Sequence, residues 1–284
     1  MALANTLSGE APGTQSATAQ PVIVAENLTI GYSLHRERKL LTALKNITLT
    51  VNKGEFVVLV GPSGCGKTTF INAIAGIVQP WEGTVEVNGK PVSGPGPDRA
   101  MVFQDYALMP WRTVESNIRM PFELKNLGLS KQEMDERVHR YLRLVDLNGF
   151  EKSFPYELSG GMKQRVGIAR ALVTEPDILL ADEPFAAIDA MTREAMQSEL
   201  ERFVTETKQT VVFITHSIDE AVMLGDRVVV ISYRPGQIKE IVPVNLPRPR
   251  FSYDVKALPE YSELREHIWR LVKDEALQAA RGGK

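Results

Sequence analysis

The chain has 284 residues, 43% of them hydrophobic and 24% charged, with a formal net charge of -2; it holds one large domain or two small ones around a sizeable core. That balance supplies no basic field for gripping nucleic acid. No apolar run reaches the roughly 18 residues that suggest a bilayer span, and the start lacks the basic-then-apolar pattern of a secretory signal. The one cysteine, Cys65, cannot form an internal disulfide and fits a reducing compartment.

Residues 1–20 are rich in Ala, Gly, Ser, Thr and Gln and read as a disordered tail. Two strands follow, VIVAENLTI and LTALKNITLTV, separated by the charged insert HRERK; alternation in ITLTV marks a half-buried strand. GTVEV runs into the tight-turn pair Asn88-Gly89, so this region predicts an antiparallel sheet. FVVLV, DILLA, TVVFIT and RVVVIS are instead continuous apolar runs, as expected of parallel strands buried on both faces. Helical stretches between them give an α/β core. Residues 131–147 predict an amphipathic helix with Met134, Val138, Tyr141, Leu142 and Val145 on one stripe, opened by a Ser130/Glu133 capping box. Ser217 and Glu220 repeat that spacing before a short helix ending near Gly225. Beyond Leu246 the chain reads LPRPR and then a helix near Leu264–Leu277.

Between FVVLV and the helical stretch TTFINAIAG stands Gly61-Pro62-Ser63-Gly64-Cys65-Gly66-Lys67-Thr68, which fits G-x-x-x-x-G-K-[ST]. Its glycines let the backbone wrap a phosphate chain with N–H groups pointing inward, and the following helix start adds partial positive charge. Lys67 is expected at the β- and γ-phosphates and Thr68 on Mg²⁺; Thr69 completes the cradle. Asp182 and Glu183 end the DILLA strand. Two adjacent acids are costly there unless they meet a cation or a reacting group. Neighbouring strand residues face opposite sides, so one acid is assigned to metal (Asp182) and the other to the attacking water (Glu183).

Ser159-Gly160-Gly161 opens a helical stretch, MKQRVGIARALV, as a Ser N-cap with two small residues behind it, an exposed anion site. Leu158-Ser159-Gly160-Gly161-Met162 resembles the LSGGQ signature of ABC ATPases, with Met162 in place of glutamine. Other motifs of that family follow in order. Tyr32 resembles the aromatic residue that stacks on adenine, or is a surface tyrosine. Gln104 matches the glutamine that contacts Mg²⁺ and the attacking water, Ala187-Ile188-Asp189 resembles the D-loop without its usual hydroxyl, and His216 matches the γ-phosphate histidine. The flanking sequences GPGPDRAMVFQDYALMPWRTVESNI, DEPFAAIDAMTR and LPRPR resemble the nitrate/sulfonate/taurine importer ATPases.

This resemblance implies a P-loop NTPase (RecA-like) α/β core carrying an antiparallel β subdomain and a helical subdomain at about 106–160. The ATPase domain would span 21–246 and a C-terminal extension 247–284. It also implies ATP and Mg²⁺ as ligands, a second ATPase subunit placed head to tail, transmembrane permease partners and, indirectly, a substrate-binding protein. The location it implies is the cytoplasmic face of the inner membrane, with a small anion as cargo. A lipid or lipoprotein exporter motor is the nearest alternative, and a soluble ABC ATPase a more distant one. Tyr106, Leu108, Met109, Pro110 and Trp111 form an apolar cluster suited either to a partner's helix or to packing within the helical subdomain.

Overall fold

A computed structural model describes residues 20–34, 39–124 and 127–282. The expected N-terminal tail, apart from Gln20, and residues 35–38 of the charged insert lie outside them. In chain order the elements are β1 (Pro21–Leu34), β2 (Lys39–Asn52), β3 (Phe56–Val60), α1 (Lys67–Ala75), β4 (Glu82–Val87), β5 (Lys90–Pro91), β6 (Arg99–Val102), α2 (Val114–Leu124) and α3 (Lys131–Leu144). They continue with α4 (Gly160–Leu172), β7 (Ile178–Asp182), α5 (Ala190–Thr207), β8 (Thr210–Ile214), α6 (Ile218–Leu224), β9 (Arg227–Ile231), β10 (Ile238–Pro243) and α7 (Pro259–Gly282).

Two sheets result. One is four-stranded and antiparallel, in the order β2-β1-β4-β5. The other runs β10-β9-β3-β8-β7-β6 and is parallel except for β10 at its edge. The continuous apolar runs sit at its centre, where β3, β7 and β8 are buried throughout, because a strand covered on both faces has no polar side. Alternation survives as a division between two cores. Phe56, Val58 and Val60 join Phe213 and the helices α3–α7; Val57 and Leu59 join α1 and the antiparallel sheet. Each fully buried side chain of this kind contributes about 1.5–3 kcal/mol, so the parallel sheet is a stiff platform for whatever its strand ends carry.

The Ser130/Glu133 box closes in both directions: Ser130 N–H donates to the Glu133 carboxylate at 2.7 Å and Glu133 N–H to the Ser130 hydroxyl at 3.3 Å. The helix it opens stops at Leu144, short of the expected 147, as Asp146 turns to a φ of 51°, yet Val145 and Leu147 remain fully buried. At Ser217 only half a box forms. Ser217 Oγ caps the Glu220 N–H, but the Glu220 carboxylate turns inward to Thr215 and Gln197. Burial raises its pKa.

LPRPR is an anchor. Arg250, 1% exposed, donates from Nη1 to the carbonyls of Val222, Met223 and Gly225, and from Nη2 to those of Val244 and Leu246. Its guanidinium therefore caps the carbonyl end of α6, and burial, then Arg248, pushes its pKa down to about 10. Buried Glu201 accepts from the backbone N–H of Arg250 and from Arg248. The extension beyond shares the main core through Val255, Tyr261 and Ile268, and its helix is longer than the expected 264–277 because Pro259 starts it. Arg250→Met should strand these carbonyls and cost about 3–5 kcal/mol. Arg250→Lys should recover little, since an ammonium cannot fan across five acceptors; denaturant unfolding measures both.

Candidate nucleotide site

The phosphate loop spans the gap between β3 and α1. Gly64 and Gly66 take φ of 73° and 103°. At Gly66 a Cβ would lie 2.5 Å from Leu44, so both torsion and space demand glycine. No side chain caps α1 at Gly66, which leaves first-turn N–H groups for an anion. Lys67 is 5% exposed and donates to the carbonyls of Gly61 at 2.9 Å and Pro62 at 3.1 Å, holding its ammonium within the loop. Cys65 faces inward and is fully buried, and burial raises its thiol pKa despite Lys67 at 3.8 Å. It contributes backbone, while its sulfur is inert packing.

The loop faces a cleft of about 410 Å³ lined by Tyr32, Ser63, Lys67, Thr69, Gln104, Glu183 and His216, among others. Tyr32 is 40% exposed at the mouth, its hydroxyl 2.9 Å from Thr69 Oγ1. Asp182 is 1% exposed at the end of β7. Burial raises its pKa, offset in part by a hydrogen bond from Thr68. Its Oδ1 is buried without a hydrogen-bond partner. Glu183 leaves the strand with a φ of 49°, a left-handed turn that is uncommon for a side-chain-bearing residue. The turn brings its carboxylate within 2.8 Å of His216 Nε2. Sequence reading separates these two acids but does not foresee that His216 pairs with Glu183.

An orphaned carboxylate oxygen beside a hydroxyl suits a hard cation. Among the described residues no group of three His, Cys, Asp or Glu side chains stands ready to hold a metal, so substrate oxygens would complete the shell. The residues present fit Mg²⁺ carried with a nucleotide.

Ser159, Gly160 and Gly161 do not line this cleft. Ser159 caps α4 through Met162 N–H at 3.3 Å and is exposed. The two glycines pass Tyr106 and the Ala187-Ile188 backbone closely. Asp189 caps α5 through Thr192 N–H at 3.0 Å. Arg234 is a cleft residue that sequence reading missed: its Nε donates to the Gly64 carbonyl at 2.7 Å from 170 positions away, and no local pattern marks it. The apolar cluster divides. Leu108 packs on the core, Met109 lines a separate groove, and Trp111 is 72% exposed.

Comparison with known proteins identifies the family. Residues 44–186 match the ABC transporter family model. An uncharacterized ABC transporter ATP-binding protein of Methanocaldococcus jannaschii is 50% identical over 254 residues, covering 89% of this chain and 92% of that protein. The aliphatic sulfonates import ATP-binding protein of Bacillus subtilis is 43% identical over 242 residues, covering 85% and 91%. A solved dimeric ATP-binding cassette in a post-hydrolysis state, bound to ADP and Pi, superposes with a TM-score of 0.72 at 33% identity, covering 79% of this chain and all of that one. The chain belongs to the ABC transporter family, as an ATP-binding and ATP-hydrolysing subunit with a P-loop NTPase fold.

Proposed function

We propose that this subunit is the motor of an importer for a small anion, a sulfonate, nitrate or taurine, working on the cytoplasmic face of the inner membrane. A substrate-binding protein would feed the permease it drives. The carrying observation is a single stretch of backbone: Gln104 lines the nucleotide cleft while Phe103 and Met109, on either side, line an apolar groove with Ile77, Met120 and Leu124. Leu124 is 77% and Ile77 51% exposed, a surface that is costly to leave in water and shaped for a partner's helix. Among the described residues no helix is long and apolar enough to cross a membrane, so the membrane-spanning part would belong to the permease.

In the cleft, Tyr32 would stack on adenine. The N–H groups from Gly61, Ser63, Gly64, Cys65 and Gly66 onward through Thr68 and Thr69 would hold the phosphates, with Lys67 swinging from the Gly61 and Pro62 carbonyls to the β- and γ-oxygens; Pro62 shapes the loop. Asp182, Thr68 and Gln104 would hold Mg²⁺, which when bound neutralises phosphate charge. Glu183 would accept a proton from the attacking water, and His216, now its hydrogen-bond partner, would orient it and touch the γ-phosphate. Because Ser159, Gly160 and Gly161 are not part of their own cleft's lining, they would close on the nucleotide of a second subunit, supplying a hydroxyl, free N–H groups and a helix start. The solved relative's dimeric state supports that arrangement.

Glu183→Gln is expected to keep Mg-ATP binding and lose hydrolysis by about 10²–10⁴-fold in the assembled complex; near-normal phosphate release there removes Glu183 from the chemistry. The same variant should form a dimer in saturating Mg-ATP that a second change, Ser159→Arg, abolishes. A monomer by light scattering, with permease present, counts against the shared site. Met109→Asp puts a charge in the groove and should weaken permease association and uptake in liposomes while ATP binding persists. Unchanged coupled uptake of sulfonate, nitrate or taurine would place the docking surface elsewhere.

A further inference from the structure

We propose that the loop from Ser232 to Gln237 is a strap through which the C-terminal helix α7 sets the shape of the phosphate loop, with Arg234 and Glu275 as positioning residues. It rests on the reading of Gly61–Thr68 as the phosphate cradle. The strap is fastened at three places. At one end the Glu275 carboxylate, 4% exposed on α7, accepts the Tyr233 N–H at 2.8 Å and pairs with Lys239 at 2.7 Å. Near the other end Gly236 is bonded to β2, its N–H donating to Ala43 and its carbonyl accepting from Lys45, both at 2.9 Å. It runs so close to the phosphate loop that a Cβ there would stand 2.0 Å from the Cys65 carbonyl. Between them Arg234 reaches across and donates from Nε to the Gly64 carbonyl at 2.7 Å.

That last bond has a directional consequence. The Gly64 carbonyl and the Cys65 N–H belong to one planar trans peptide and point in opposite directions. An arginine holding the carbonyl outward therefore keeps the Cys65 N–H aimed into the loop, where its present partner is the Pro62 carbonyl at a long 3.4 Å. A phosphate oxygen is a better acceptor than that. Gly64 sits at a φ of 73°, a torsion to which glycine has no strong commitment, so an external clamp is what fixes the peptide. Glu275 matters because it holds the backbone next to Arg234, whereas the β9–β10 pairing closes the base of the loop and Gly236 holds its far side. A buried carboxylate accepting a backbone N–H is costly to disturb.

The experiment is calorimetric titration of the full-length chain with Mg-ATP, with ligand-free melting recorded for every variant. Arg234→Ala should weaken binding about 5-fold and Glu275→Ala about 3-fold, the scale of one lost hydrogen bond. The double variant should be no weaker than Arg234→Ala by more than about twofold, because both changes release the same loop. Glu275→Gln keeps an acceptor for the Tyr233 N–H and should recover most of the affinity; binding as weak as that of Glu275→Ala overturns the hydrogen-bonded link. Effects that multiply in the double variant also overturn the coupling to α7. Lys67→Ala separates the strap from the cradle. Wild-type affinity in Arg234→Ala with weakened binding in Lys67→Ala overturns the strap alone, whereas unchanged affinity in both removes the cradle and the strap together. Should Glu275→Ala not fold, Arg234→Ala still decides the strap, and Glu275→Gln is read against the wild type, a loss of about 3-fold or more overturning the hydrogen-bonded link.

Discussion

A carboxylate at the end of a wholly apolar strand is the constraint around which this molecule is arranged. Asp182 finishes β7 with 1% exposure and one oxygen without a partner, and burial holds its pKa up. A group so placed is unfavourable alone. It becomes useful only if the structure keeps a hydroxyl, a phosphate loop and space for a cation directly opposite. Parallel strands supply that geometry, because β3 and β7 flank β8, run parallel to it and so finish at the same end of the sheet. The rigidity of two cores, one on each face, keeps those strand ends in fixed relation.

What was legible in the sequence is what depends on neighbours along the chain. The glycine-rich loop, the Ser130/Glu133 box and the buried strands are short patterns that lie where their own spacing puts them, whereas of the acid pair only Asp182 stays on the strand and Glu183 turns out of it. The illegible features are long-range. Arg250 caps a helix that ends 26 positions earlier, Arg234 meets Gly64 across 170, and Glu275 meets Tyr233 across 42. An arginine in LPRPR offers no local sign that its guanidinium will be surrounded by carbonyls instead of water. Glu220 makes the same point from the other side: its spacing from Ser217 is that of a capping box, but buried Thr215 and Gln197 compete for the carboxylate and win.

The pairing of Glu183 with His216 shows how local strain and distant packing combine. A φ of 49° at Glu183 carries a cost that an extended continuation of β7 would avoid. In return, the carboxylate turns from the sheet plane toward the end of β8, where His216 follows Thr215. Thr215 is itself tied to Glu220 at the start of α6, and α6 is capped at its far end by Arg250. A chain of contacts thus runs from the LPRPR segment, through a seven-residue helix, to the histidine in the cleft.

This arrangement explains why a single subunit would be an incomplete catalyst under the proposed reading. Its cleft gathers a lysine, an acid and a histidine above buried Asp182, but the exposed Ser159 helix start is not part of its lining. Phosphoryl transfer depends on positioning and charge stabilisation more than on covalent chemistry, so leaving one set of donors outside the cleft withholds part of that stabilisation until a second subunit arrives. The groove beside Gln104 lies on the same backbone stretch as the cleft. Under the proposed reading a partner seated in that groove would sit one residue from Gln104 at Phe103 and five at Met109. Under that reading, coupling of hydrolysis to assembly would rest on where one glutamine and one methionine stand on the loop that leaves β6.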